Sequence, residues 1–176
     1  MRRMGLIQVY TGDGKGKTTA AVGLACRARA HNLKVCYIYF HKDPDVWGYG
    51  EVKNLQRLGV DVFGFSKEHP FCKDVGTKEV RRECLKGLEF IKKDVYRQDK
   101  YDILILDEIN ISLRDGFLKE EEIVEILDSK PEKLELILTG RGAGDEVIKR
   151  ADLVSEIKKI KHPFDENIEG REGIEY

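Results

Sequence analysis

An α/β fold built on a parallel sheet with helices on both faces is predicted by three features of this sequence. Apolar runs of strand length recur along it, several lack the polar alternation of a half-exposed strand, and segments with helical spacing separate them. The runs are LIQVYT, KVCYIYF, VDVFGF, YDILILDE, LELILT and ADLVSEIKKI. Helices are expected over residues 17–31, about 49–58, 75 to about 98, 119–127 and 144–150. The longest carries Val80, Cys84, Leu88, Ile91 and Val95 at spacings of three and four, a single apolar stripe to lie on the sheet.

At 176 residues the chain has the length of one compact domain that buries a core without staples, so a single domain over 1–176 is expected. Pro163, Gly170 and Gly173 break the pattern in KHPFDENIEGREGIEY. Residues 161–176 therefore read as a C-terminal tail that either drapes over the domain or frays, and packing near the site is the expectation. With 31 Lys+Arg against 32 Asp+Glu the formal charge is -1, which leaves no global field to draw nucleic acid or an anionic membrane. Cys26, Cys36, Cys72 and Cys84 form no C-x-x-C pair and fall mostly in apolar segments, as buried reduced thiols do. The start MRRMGLIQVY has no apolar stretch long enough for a signal peptide or a membrane span, so a cytoplasmic location is expected.

The chemistry concentrates in QVYTGDGKGKTT, where a strand runs into glycines and lysines before a helix. The phosphate-loop pattern is G-x-x-x-x-G-K-[ST]; Gly16, Lys17 and Thr18 supply its end, while its first glycine falls on Thr11, with Gly12 one place late. A helix opening there aims unpaired N–H groups and a positive dipole end at an anion. Lys17 is placed to neutralise phosphate and Thr18 to ligate a metal. A merely tight glycine-rich turn is the alternative. YDILILDE adds Asp107 and Glu108 at the C-terminal edge of a buried strand, where ligands of open parallel sheets gather. Alone, the pair also reads as a cap for the next element.

Together YTGDGKGKTTAA, YDILILDEI, LILTGRG, ADLVSEI and KHPFD…GIEY resemble the ATP:cob(I)alamin (corrinoid) adenosyltransferases of the P-loop type, in order and over nearly the whole chain. The resemblance implies a P-loop NTPase-like (RecA-like) fold and an enzyme that transfers the 5′-deoxyadenosyl group of ATP to the Co(I) of a reduced corrinoid, releasing triphosphate. It implies that Gly12, Asp13, Gly14, Lys15, Gly16, Lys17, Thr18 and Thr19 cradle ATP, with Arg141 on phosphate or ribose. Lys15, Lys17 and Glu108 are the candidate catalytic residues. Thr18 with Asp107 or Glu108 would place Mg²⁺ or Mn²⁺. Lys42 and Glu51 follow the second strand as a family segment does and are candidates for the corrinoid side. A reduced flavin or flavoprotein is the expected electron donor, and a homodimer is expected because members are often dimeric.

The sequence departs from the family at its corrinoid end. Members commonly carry an aromatic pair, GFTW, that presses on the lower face of the corrinoid; this chain reads GFSKEHPFC. Phe65 matches the phenylalanine, no tryptophan follows, and Phe71, His69 or Trp47 are candidates for the missing ring. Phe65 and Phe71 as ordinary core residues is the competing reading. Two other functions also fit a P-loop nucleotide binder: an ATPase or small-molecule kinase that makes phosphate or ADP, and a regulatory module that binds ATP without turnover.

Overall fold

A computed structural model describes residues 4–44, 48–67 and 76–175. Six parallel strands form one sheet: β1 (Ile7–Thr11), β2 (Val35–Phe40), β3 (Asp61–Phe65), β4 (Ile103–Asp107), β5 (Glu135–Thr139) and β6 (Leu153–Glu156), in the spatial order β3-β2-β4-β5-β1-β6. The chain crosses between them through α1 (Lys17–Ala30), α2 (Gly50–Arg57), α3 (Thr77–Phe90), α4 (Ile109–Arg114), α5 (Glu120–Asp128) and α6 (Asp145–Arg150). A strand that must reach a parallel neighbour needs such a crossover, which covers the sheet as it returns.

Alternation along the central strands builds two cores. Cys36, Ile38, Leu104, Leu106, Leu136 and Leu138 face the stripe of α3 and the apolar side of α5. Their neighbours Val35, Tyr37, Ile103, Ile105 and Ile137 face α1 and α2. On that second face α1 presents Ala21, Ala25 and Ala28, all buried, so its backbone rides close to the strands and its N-terminus is held at the sheet edge. Cys36 and Cys84 are buried as expected, and burial pushes the Cys36 thiol up to about 12, whereas Cys26 is exposed on α1 and Cys72 lies outside the described residues.

The structure adds detail at four places. The longest helix turns π-helical over Ile91–Tyr96, a wider turn that keeps Ile91 and Val95 buried while the Tyr96 hydroxyl reaches the Ile126 carbonyl at 3.1 Å. No spacing of residues marked α4, a six-residue helix that begins directly after Glu108. The sixth strand is an edge strand exposed along its whole length, not a buried run. Beyond it, the tail makes one 3-10 turn, Pro163–Glu166.

Register gathers the C-terminal ends of five strands. Tyr39 lies opposite Asp107, Leu106 opposite Leu138, Tyr10 opposite Thr139 and Thr11 opposite Glu156. The loops after β1, β2, β4 and β5 therefore open at one rim.

Candidate active site

β1 ends at Thr11, and the chain then makes two turns that favour glycine, Gly12 at φ 95° and Gly16 at φ 127°, before α1 starts at Lys17. A Cβ on Gly12 would sit 2.5 Å from the Ile157 carbonyl oxygen, so strand β6 and the loop approach too closely for a side chain. The Gly14 N–H donates to that same carbonyl at 2.7 Å. No acidic side chain occupies the first turn of α1, which leaves its positive end free for an external anion.

The two loop lysines point different ways. Lys17 is buried and curls back, its Nζ donating to the Gly12 and Gly14 carbonyls at 2.7 Å each. Burial lowers its pKa from the ordinary lysine value, against the pull of Glu108. Lys15 reaches outward and donates to the Ile174 carbonyl at 2.9 Å and Glu175 Oε1 at 2.8 Å. Between loop and tail lies a cavity of ≈ 550 Å³ lined by Gly14, Lys15, Lys158, Lys161, Phe164 and Arg171 among others.

Asp107 ends β4 with no exposed surface. Its Oδ1 accepts from the Thr18 hydroxyl at 3.0 Å and the Thr139 hydroxyl at 2.7 Å. Its Oδ2 stands 2.6 Å from Lys42 Nζ, an ion pair whose angles fall outside those of an aligned hydrogen bond. Burial opposes the charge on Asp107, but Lys42 and the hydroxyl donors outweigh it and hold the carboxyl below its usual value. Lys42 also donates to Thr18 Oγ1 at 3.2 Å and pairs with Glu51 at 3.5 Å. Its own pKa is raised, since Asp107, Glu108 and Glu51 together overcome burial.

Glu108 adopts the left-handed conformation, φ 63°, at the junction of β4 and α4. Its N–H donates to Thr139 Oγ1 at 2.9 Å, and its buried Oε2 has no hydrogen-bond partner. Burial first, then the neighbouring Asp107 charge, raises its pKa. A strained backbone and an orphaned buried oxygen at a strand end are features that functional sites retain.

A hard divalent cation fits this arrangement. The donors are oxygens, Thr18, Asp107 and Glu108, a set suited to an ion that takes one or two carboxylates and completes its shell with phosphate and water. The Lys42 ammonium already rests between two of them, so the spot accepts positive charge. Among the described residues no cluster of three or more His, Cys, Asp or Glu forms a metal cage by itself.

The remaining predicted residues lie as follows. Asp13 and Thr19 are exposed on the loop and first turn. Arg141, also exposed, follows β5, near enough for its charge to act on Lys17 and Glu108. Lys42, a corrinoid-side candidate from the sequence, lies against Thr18 and Asp107, and Glu51, the other such candidate, pairs with Lys42. Phe65 is half-buried at the end of β3, its ring centroid 5.5 Å from Phe90 and 6.3 Å from Phe40. Trp47, His69 and Phe71 lie outside the described residues. Thr139 was missed: it bridges both carboxylate residues, and its one signal was its place just before Gly140-Arg141.

The family model of the ATP:corrinoid adenosyltransferases BtuR/CobO/CobP matches residues 3–176. This chain belongs to that family. It is 34% identical over 172 residues to the corrinoid adenosyltransferase of Escherichia coli K12, covering 98% of this chain and 86% of that one. A Sinorhizobium corrinoid adenosyltransferase is 35% identical over 182 residues, 98% of this chain and 80% of the relative. The Salmonella typhimurium LT2 corrinoid adenosyltransferase CobA is 33% identical over 176 residues, 98% and 86%. The corrinoid adenosyltransferase fold is P-loop NTPase-like, and its members move the adenosyl group of ATP to cobalamin. Among the described residues no helix is long and apolar enough to cross a membrane.

Proposed function

We propose that this chain transfers the 5′-deoxyadenosyl group of ATP to the Co(I) of a reduced corrinoid. The observation that carries the reading is the join between phosphate loop and strand carboxylate, Thr18 Oγ1 to Asp107 Oδ1 at 3.0 Å, in a chain matched throughout by this family.

In the step itself the electron pair of Co(I) attacks C5′ of the ribose, a cobalt–carbon bond forms, and the C5′–O5′ bond breaks. The O5′ electron pair leaves with the triphosphate. Such a nucleophile carries no proton to remove, so the protein's task is in-line placement and stabilisation of the departing charge. Gly12 to Thr19 cradle the triphosphate; Lys17 exchanges its two carbonyl contacts for phosphate oxygens, and Lys15 leaves the tail to do the same. Thr18, Asp107 and Glu108 hold Mg²⁺, or Mn²⁺ in its place, whose charge offsets that of the triphosphate. Arg141 closes on phosphate or ribose. Phe65 faces the corrinoid, and a reduced flavin or flavoprotein supplies the electron that makes Co(I).

An anaerobic assay with Mg·ATP and chemically reduced cobalamin tests this. The expected outcome is a cobalt–carbon spectrum with one triphosphate per adenosylcobalamin. Release of inorganic phosphate or ADP indifferent to cobalamin would overturn the reading and favour a hydrolase or kinase.

A further inference from the structure

Lys42 is a buried cation whose position is fixed by more than its own contacts. β2 ends at Phe40, and His41 then takes a left-handed turn, φ 56°, that a side chain rarely adopts. The turn is held on three sides: the His41 N–H donates to the Ser66 carbonyl at 2.8 Å, its Nε2 meets Ser112 Oγ at 2.7 Å, and its ring lies 5.5 Å from that of Phe117. Strain kept by such support marks a residue whose neighbour must be aimed. What it aims is Lys42, back across the sheet rim onto Asp107 at 2.6 Å and Thr18 at 3.2 Å.

Those two oxygens are the ones a phosphate-loop cation would use, at ligand distances of about 2.0–2.1 Å for Mg²⁺. An ammonium so close to both cannot share the place with a divalent ion. A second seat is at hand: Glu51, in the first turn of α2, already lies 3.5 Å from Nζ, and the Tyr49 ring lies 5.2 Å from it.

We infer that Lys42 is a placeholder for the divalent cation, neutralising Asp107 until metal and nucleotide enter and then moving to Glu51. The inference rests on the proposed use of Thr18 and Asp107 as metal residues. Lys42 is a positioning residue: it keeps a buried carboxylate from standing alone, and it makes metal binding in the absence of nucleotide unfavourable, so that cation and triphosphate arrive together.

Mn²⁺ binding, read by electron paramagnetic resonance with and without ATP, tests this in the full chain. Lys42→Met is expected to bind Mn²⁺ without nucleotide more tightly than the wild type, by about 5–150-fold, the range over which one binding event is typically coupled to another, and added Mn²⁺ is expected to raise its melting temperature. Glu51→Gln, which keeps the placeholder and removes its second seat, is expected to shift Mn·ATP binding the other way. Opposite shifts are not produced by a merely structural lysine. Unchanged Mn²⁺ affinity in Lys42→Met, with Mn·ATP bound normally by the wild type, overturns the inference and leaves the nucleotide reading standing. Failure of the wild type to bind Mn·ATP overturns both. Should Lys42→Met not fold, Glu51→Gln decides: Mn·ATP affinity equal to or tighter than wild type rejects the exchange.

Discussion

Lys17 spends both of its hydrogen bonds on carbonyls of its own loop, an arrangement that a phosphate can replace without moving the backbone. Lys17→Ala should therefore leave the fold intact and slow adenosyl transfer from pre-reduced corrinoid by about 10²–10³-fold, the loss of one oriented donor to developing negative charge. An unchanged rate would remove this lysine from the chemistry. Lys17, Thr18 and Asp107 were legible in the sequence because each follows from a local rule: the loop spacing, and a carboxylate at the end of an apolar run. Lys42 was legible as a candidate, but its contact with Asp107 was not. That contact depends on the β2–β4 register and on the backbone of His41, and neither leaves a mark in the spacing of residues.

The strands and long helices follow periodicity, so all six strand runs and the helices between them were legible in the sequence, while the spatial order of the strands was not. Periodicity is blind to α4, too short for a period to form, and to the π-helical turn after α3, whose apolar positions keep the spacing of an α-helix. The edge strand β6 carries Leu153 and Val154 at 42% exposure each, and an apolar run alone does not say which strand ends a sheet. The contact between β3 and α3 bears on the corrinoid role proposed for Phe65. Phe65 joins Phe63 and Phe90 at that contact, with Phe63 and Phe90 at 4.6 Å between centroids, so it contributes packing as well as a face at the rim. Phe65→Ala should lower the melting temperature by less than the about 3–5 kcal/mol of a fully buried phenylalanine implies. It should spare ATP binding and impair reactions started from Co(II) more than those started from chemically reduced Co(I). Equal loss from both starts would confine Phe65 to packing.

Across the whole molecule, the tail fastens to the loop through Lys15, Glu175 and Arg171. The Arg171 and Lys15 contacts hold the Glu175 carboxyl well below the usual carboxylate range. A depressed acid gives its stabilisation in full above its unfolded value, about 4.3 for Glu, and loses it as the pH falls below that. Backbone order parameters of the tail should accordingly be lower at about pH 2 than at about pH 5, the loss setting in below the unfolded value, while those of the sheet hold. In Glu175→Gln they should be low throughout, without a pH step; a wild-type tail equally ordered at both pH values would show that these ion pairs do not hold it.

Lys15 meets partners 159 and 160 positions further along the chain. At roughly 5–20 residues per second of synthesis, the loop leaves the ribosome on the order of 8–30 s before they do. ATP in the surrounding solution thus meets a nascent loop that is open on one side, and the chamber over it closes only after Ile174 and Glu175 have been made.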